Sequence, residues 1–280
     1  MPQTQDESHR AGPIIWLNLV CLDAPLVALV WQDVFARARF GHVSPAARVA
    51  LFATAWLIYL ADRLGDSFSV PAGAPVSRRQ QFARRHRAFF LIASAIAGAL
   101  DASAVPRLDS GTLIAGALIG AVSAVYLAVN HFISRLWRVL PIKEIAIGFL
   151  FAAGVRASAT GPGAARFGYV AAVFAVLCAL NCISIAFWER DLDDAQGRGS
   201  IATAFPRLGR WPLFACIALS IICAALAVAS PLRLPLLCLA VSSALLALLS
   251  ADRFVLERDV RTALADVVLL TPLLALPFTV

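Results

Sequence analysis

Two acidic clusters, each placed where an apolar segment ends, hold the residues in this chain that are most able to do chemistry. The first contains Asp62 and Asp66, and the second contains Glu189 and Asp193, with Asp194 directly after it. In each cluster two carboxylates stand at positions i and i+4, so on a helix they share one face. Like charges at this spacing repel each other, and a bound cation relieves that repulsion. Carboxylate oxygens suit Mg²⁺, which fills its remaining positions with water or substrate phosphates.

The composition places these clusters in a membrane protein. Apolar residues make up 60% of the chain and the mean hydropathy is +0.80, far above the values of soluble domains. Most of nine apolar segments are long enough for a helix that crosses a bilayer of about 30 Å. These segments lie near residues 13–31, 46–62, 88–105, 111–129, 143–160, 168–188, 211–230, 232–250 and 263–280. We therefore predict an all-α, polytopic membrane bundle of about nine transmembrane helices. It forms a single domain, residues 13–280, after a polar cytoplasmic tail, residues 1–12.

The distribution of basic residues predicts the orientation of this bundle. With a cytoplasmic N-terminus, seventeen of the 24 Lys and Arg residues fall on the inner side and seven on the outer side. This bias is typical of membrane proteins, whose cytoplasmic loops are basic. It places both acidic clusters in the cytoplasm and the C-terminus outside, in a multi-pass protein of a bacterial plasma membrane. The net charge of +7 then indicates anionic membrane lipids rather than nucleic acid as partners. The oligomeric state stays open.

The clusters and their positions resemble those of the UbiA superfamily of intramembrane prenyltransferases. That family carries acidic motifs at the cytoplasmic ends of the second and sixth of nine helices, and its first motif usually reads NDxxDxxxD. Here this motif aligns on residues 58–66, in which Asp62 and Asp66 match. Ile58 and Tyr59 stand where the family has Asn and Asp. The first motif is therefore degenerate, and the chain looks like a distant member.

The family's second motif, DxxxD, aligns on residues 189–193 with Glu189 in the first position. The stretch from Gly197 to Ser200 is similar to the Gly-rich segment that follows this motif in the family. The segment that leads into Lys143 looks like the entry of the family's fifth helix, where a basic residue faces diphosphate. The resemblance covers the whole chain in topology and is sharp at these patches.

The resemblance implies Mg²⁺-dependent transfer of a prenyl group from an allylic prenyl diphosphate to a lipophilic, often aromatic, acceptor. Metal ions and basic side chains would neutralise the leaving diphosphate. The implied catalytic and metal-binding residues are Asp62, Asp66, Glu189 and Asp193, with Asp194 as an auxiliary ligand or a partner of Arg190. The implied diphosphate-binding residues are Arg63, Arg135, Arg138, Lys143 and Arg198. Alternatively, the carboxylates only pair with adjacent arginines at the membrane edge, the first cluster with Arg63 and the second with Arg190.

Polar residues inside the apolar segments complete the predicted substrate-binding set. Asp23 lies in the middle of the first segment, where a charge costs at least about 2.5–3.5 kcal/mol. It must therefore face the bundle interior, be protonated or pair, either as an acceptor-site group or in an interhelical hydrogen bond. Asn18 precedes it, and Asn181 precedes the second cluster and would extend its polar wall. Tyr59, one turn before the first cluster, could border the allylic cation.

Two further expectations concern groups outside this set. Asp266 and Arg261, near the last helix, are expected to pair at the membrane edge. All six cysteines lie in apolar segments and are expected to pack as small apolar side chains, without disulfides or bound metal.

Three functions remain open at this point. The first is Mg²⁺-dependent prenyl transfer to a lipophilic acceptor. The second is binding of polyisoprenoids by a relative that has lost the chemistry, which the missing Asn and Asp at positions 58 and 59 favour. The third is transport of a small solute with Asp23 as the coupling site, against which stands the lack of paired, Gly- or Pro-broken helices in two matching halves.

Overall fold

The computed structural model describes residues 12–38, 42–71, 73–133, 136–159, 168–251 and 256–275. Arg135 and residues 1–11 of the predicted tail lie outside these ranges. Within them the chain forms α-helices and short 3₁₀ turns, and no strand occurs. The helices are α1 (Pro13–Leu19), α2 (Asp23–Arg37), α3 (Pro45–Ser69), α4 (Arg78–Arg85), α5 (Arg87–Ala104), α6 (Ser110–Phe132), α7 (Leu136–Val139), α8 (Lys143–Ser158), α9 (Gly168–Trp188), α10 (Arg190–Ala195), α11 (Ile201–Ala204), α12 (Trp211–Ala229), α13 (Arg233–Ser250), α14 (Arg258–Val267) and α15 (Pro272–Ala275).

Each of the nine predicted segments contains a helix, but not all are uniform spans. Among the described residues, five helices are long and apolar enough to cross a bilayer by themselves: α5, α6, α9, α12 and α13. The bent pair α1–α2 would make a sixth. The remaining segments correspond to α3, which is 25 residues long and carries four charged residues, to the 16-residue α8, and to α14 with α15. The all-α membrane fold is confirmed, and the count of nine crossings stays a prediction.

The first segment is not one continuous helix, and here the sequence prediction was wrong. The axes of α1 and α2 meet at 97°, and Cys21 at the corner has a φ of +60°. Asp23 therefore stands at the first position of α2 rather than in the middle of a span. Its Oδ1 accepts from the backbone N–H of Ala24 at 2.9 Å, and its Oδ2 accepts from Asn18 across the corner at 2.6 Å. At the corner between α1 and α2, polar groups that would be unfavourable in the bilayer therefore form hydrogen bonds with each other.

Helix α9 is the centre of the bundle. It packs against α8, α12, α13 and α14, and most of its side chains are buried. Gly148 of α8 lies directly against the backbone of α9, because a Cβ at this position would be 2.4 Å from the backbone N of Ala179. On the other side, the Phe174 ring of α9 stacks on Trp31 of α2 with centroids 4.4 Å apart.

The outer faces of α5, α6 and α12 carry exposed aliphatic side chains. Ile92 of α5, Leu118 of α6 and Ile221 of α12 are each more than half exposed. Continuous apolar exposure of this kind is unfavourable in water and expected against lipid. The helices that face lipid thus surround a core built on α2, α8, α9 and α13.

Candidate functional site

The two acidic clusters meet at one end of the bundle through Arg198. The first cluster lies in the last turns of α3, and the second extends from the end of α9 into α10. After α10 the chain turns back at Gly197, whose φ of +67° suits glycine. The backbone N–H of Arg198 then donates to the carbonyl of Asp193 at 2.8 Å, and its Nη1 donates to Oδ2 of Asp66 at 2.9 Å. This hydrogen bond connects Asp66 and Arg198, which are 132 positions apart in the sequence.

Asp62 receives its partners from the end of α6. Asn130 donates from Nδ2 to its Oδ1 at 3.0 Å, and Nε2 of His131 lies 3.4 Å from the same oxygen. Gly65 leaves room for this imidazole, because a Cβ there would be 2.5 Å from two ring atoms of His131. The glycine between the two aspartates therefore has a packing reason in this structure.

Glu189 is buried and engaged on both oxygens. Arg79 of α4 forms an ion pair with its Oε2, and the Thr262 hydroxyl of α14 donates to its Oε1 at 3.4 Å. Arg79 belongs to the basic run 78–87, in which Arg84 and Arg85 are exposed. One arginine of this run thus reaches into the site while its neighbours face outward.

Asp193 lies between basic groups and the small helix α11. Burial raises the pKa of its carboxyl, while nearby Lys143 and a hydrogen bond from Ser200 act in the opposite direction. Burial alone would lower the pKa of Arg198, but the Asp66 carboxylate raises it above its ordinary value. Asp193 and Arg198 belong to one polar site at the edge of the bundle, and Lys143 at the start of α8 is near enough to interact electrostatically with Asp193 and Asp62.

The remaining predicted diphosphate ligands lie in different surroundings. Arg63 is buried, and its Nη2 donates to the Tyr59 hydroxyl at 2.9 Å. Arg138 is exposed and donates to the carbonyl of Gly197, so it braces the turn before Arg198. Arg135 lies outside the described residues.

The alternative pairing with adjacent arginines holds for Asp191, which lies within the second cluster, but not for Asp66. Asp66 pairs with Arg198 rather than Arg63. Arg190 pairs with Asp191 at 3.2 Å, so neither Glu189 nor Asp194 is its partner. Asp194 itself is exposed on α10.

An apolar groove starts at Asp62 and runs along α3 between α6 and α8. A cavity of about 210 Å³ borders Asp62 and Tyr59, and a second of about 310 Å³ continues it toward Ala47. The two share lining residues on all three helices. At a rise of about 1.5 Å per residue, the stretch of α3 from Ala47 to Asp62 spans about 22 Å. Asp101 of α5 lines the second cavity and accepts a hydrogen bond at 3.0 Å from Thr54, which lines both cavities.

A second polar group lines this groove near Asp62. Asn181 donates to Oδ1 of Asp266 at 2.9 Å, and Asp266 lies close enough to Asp23 for their carboxyl groups to interact. The predicted edge pair of Asp266 and Arg261 was therefore wrong. Arg261 donates to the carbonyl of Leu249 at 2.6 Å and lies over the Trp188 ring. Asn18, Asp23 and Asn181 thus belong to one interior network.

The donor set is compatible with Mg²⁺ that is bridged by phosphate. Within the part of the chain that the structure describes, no three carboxylate, histidine or cysteine side chains lie close enough to hold an ion by themselves. Mg²⁺ seldom uses such a cage, since one or two carboxylates and the oxygens of a substrate phosphate suffice. Asp62, Asp66 and Asp193 offer hard oxygen ligands beside the cations of Lys143 and Arg198.

Several residues of this site escaped the sequence interpretation. They are Arg79, Asn130, His131 and Thr262, while Asp266 was assigned to a different partner. Asn130 and His131 could have been predicted as site residues from the sequence, because they are polar and lie at the end of an otherwise apolar helix. Thr262 could not, since its role depends on how α14 folds back onto α9. The six cysteines are free, as expected.

Comparisons with known proteins agree with this architecture. No protein-family model matches the chain, and no curated protein sequence matches it. Among solved structures, the apo structure of a UbiA homolog from Aeropyrum pernix K1 is similar, with a TM-score of 0.58 and 18% sequence identity. The match covers 90% of this chain and 97% of that one. The chain therefore has the membrane helical fold of a UbiA homolog.

Proposed function

We propose that this protein transfers a prenyl group from an allylic prenyl diphosphate to a lipophilic acceptor within the membrane. The observation that carries the proposal is the apolar groove that ends at Asp62, beside the junction of both acidic clusters. A ligand with a long apolar tail and an anionic head matches this arrangement, because the tail leaves water and the head meets cations. The resemblance of the motifs and the shared fold supply the reaction class.

On this proposal, the chain's own cations bind the diphosphate. Lys143 and Arg198 face the carboxylates of the two clusters and would contact phosphate oxygens. Asp62, Asp66 and Asp193 would hold Mg²⁺, which neutralises the leaving diphosphate when it is bound. Glu189 would become a Mg²⁺ ligand if its carboxylate gave up the ion pair with Arg79. Asp194 would reach the metal only from the exposed side of α10. Arg63 instead holds the Tyr59 hydroxyl at the groove wall, where the aromatic ring would border the allylic carbon.

Two other functions fit parts of the structure less well. Binding of polyisoprenoids without chemistry would use the same groove, and the ion pairs of Asp66 and Glu189 are compatible with it. Solute transport through Asp23 is disfavoured, since this carboxyl is tied to Asn18, Ala24 and Asp266. The test therefore has to separate turnover from binding.

Replacing the metal-binding carboxylates is expected to abolish turnover while the fold persists. Asp62→Asn, Asp66→Asn and Asp193→Asn each remove a charge that must hold a divalent cation against diphosphate, so we expect losses of well over tenfold, about 1.4 kcal/mol or more in the barrier. The measurement is release of diphosphate from a labelled prenyl diphosphate in native membranes, across aromatic and lipid acceptors. Asp191→Asn is the matched control, because Asp191 lies on α10 with its side chain 90% exposed.

The enzyme proposal fails if the wild type turns over no prenyl diphosphate with any acceptor while the three variants bind it as the wild type does. Equal losses in Asp191→Asn would instead indicate a general effect of charge on α10. Thermal unfolding of each variant in detergent checks that the fold is intact.

Binding of Mg²⁺ and prenyl diphosphate is expected to be coupled. A ligand stabilises the folded state in proportion to its binding, so the two together should raise the unfolding temperature more than the sum of either alone. Purified protein is measured with Mg²⁺, with the prenyl diphosphate, and with both. A prenyl alcohol of the same chain length is the control. An equal shift with the alcohol would favour the lipid-binding function.

A further inference from the structure

An acidic pair outside both clusters faces the groove. The carboxyl groups of Asp23, at the start of α2, and Asp266, in α14, lie close enough to each other to interact. Asn18 donates to Asp23 at 2.6 Å and Asn181 donates to Asp266 at 2.9 Å. Asp23 is 2% exposed, whereas Asp266 lines the cavity of about 210 Å³. The pair therefore meets the cavity through Asp266.

Asn181 independently indicates that a ligand binds here. Its side chain is 4% exposed and lines the same cavity, yet its Oδ1 has no hydrogen-bond partner. A buried polar atom without a hydrogen-bond partner destabilises the protein, because it has lost its hydration without compensation. An O–H or N–H group of a ligand in the cavity would remove that penalty, since an amide oxygen can only accept.

The charge of the pair restricts what that ligand can be. Two carboxylates that lie this close repel each other, so the pair is expected to hold one proton and a single negative charge. The buried Arg63 is close enough to interact with Asp23 electrostatically. A second anion beside Asp266 would be repelled, while a neutral hydrogen-bond donor would be attracted. The cavity is large enough for an aromatic ring, since one of about 150 Å³ holds benzene.

We propose that Asp266 and Asn181 form a binding subsite for a neutral, hydrogen-bond-donating head group, an alcohol or phenol, on a lipophilic molecule in this cavity. The inference rests on the proposed function, in which that molecule is the prenyl acceptor. Asp62 borders the same cavity, so the acceptor's head group and the diphosphate would lie at one end of the groove. Acceptors that carry a carboxylate at this position would be excluded.

The test compares three probes that share one apolar tail: 4-nonylphenol, nonylbenzene and 4-nonylbenzoate. Binding to the purified full-length protein is measured by thermal-shift titration without any prenyl diphosphate. The phenol is expected to bind about tenfold more tightly than nonylbenzene, the contribution of one hydrogen bond to a charged group. The benzoate is expected to bind no more tightly than nonylbenzene.

Asp266→Asn and Asn181→Leu are each expected to remove the preference for the phenol while nonylbenzene binds as before. Asn181→Ser replaces the leucine variant if the latter fails to fold. Asp191→Asn, on the exposed side of α10 and outside the groove, is the matched control and should keep the full preference. Equal affinities for all three probes in the wild type, or a preference that persists in the Asp266 and Asn181 variants, would overturn the subsite.

The outcome is separable from that of the proposed function. Loss of diphosphate release in Asp62→Asn with an intact preference for the phenol supports both. Prenyl transfer that depends on Asp62, in a protein without that preference, overturns the subsite alone. A preference for the phenol without any transfer overturns the proposed function and leaves a lipid-binding site.

Discussion

At the scale of single residues, the carboxylates of this site are neutralised by cations from distant parts of the chain. Asp66 forms an ion pair with Arg198, and Glu189 forms one with Arg79. Lone buried carboxylates would lose hydration without compensation, so each requires such a partner when no metal is bound. A ligand that brings Mg²⁺ must therefore compete with arginines already in place.

The ion pair of Glu189 and Arg79 gives a prediction at this scale. Both side chains are largely buried, with exposed fractions of 7% and 15%. Glu189→Gln leaves the guanidinium without its counter-charge and is expected to lower the free energy of unfolding by about 3 kcal/mol. The double variant Glu189→Gln with Arg79→Gln should recover most of this stability. Chemical unfolding in detergent measures each step of the cycle.

The same variants separate the two roles of Glu189. If Glu189 also binds metal, the double variant regains stability without regaining diphosphate release. If it only neutralises the charge of Arg79, stability and turnover return together in the double variant. A Glu189→Gln protein as stable as the wild type would show that the pair contributes nothing. Glu189→Asp, which restores the usual residue of the resembled motif, should keep activity.

At the scale of helices, the groove depends on the close approach of α8 and α9. Gly148→Ala would place a Cβ 2.4 Å from the backbone N of Ala179. Backbone atoms cannot yield as a flexible side chain can, so the helices must separate, at a cost of about 1–3 kcal/mol. Because Gly148 also lines the cavity, groove binding should weaken with stability. Thermal unfolding and nonylbenzene binding measure the two effects.

Gly98→Ala is the matched control for this substitution. Gly98 lies within α5, and nothing comes within 4 Å of a Cβ built there. Alanine favours a helix over glycine by up to about 1 kcal/mol, so stability should stay constant or rise slightly. A comparable loss in both variants would mean that glycine itself, not the approach of α8 and α9, determines the outcome.

The helices could be predicted from sequence to a greater extent than the site. Long apolar runs identify α5, α6, α9, α12 and α13 because hydropathy alone determines whether a helix tolerates lipid. The corner at Cys21 could not be predicted, since a short apolar run looks the same whether straight or bent. The partners of the acidic clusters were missed because pairs such as Asp66 with Arg198 depend on tertiary packing. Local reasoning favoured Arg63, which the structure turns toward Tyr59.

At the scale of the whole molecule, the junction of the clusters constrains the path of the chain. Asp66 and Arg198 are in contact, so the ends of α3 and α9 must lie on one membrane face. Of the six described helices from the first cluster to the second, α4 and α7 have eight residues or fewer, which leaves α5, α6, α8 and α9 as the helices that could cross. An even number of crossings returns the chain to the same side, so we expect α8 to cross although it has only 16 residues, about 24 Å in length.

The bent pair of α1 and α2 is the element on which the overall topology depends. If it crosses the bilayer as one span, the N-terminus and the loop between α3 and α4 lie on the same side. If it enters and leaves on one side, they lie on opposite sides. The basic residues favour the first arrangement, with both in the cytoplasm and the C-terminus outside. Reporters fused before Met1, within residues 70–77 and after Val280 should therefore be active inside, inside and outside, respectively. Opposite sides for the first two would make α1–α2 re-entrant, and Asp23 would then belong to a loop dipping into the membrane beside the groove.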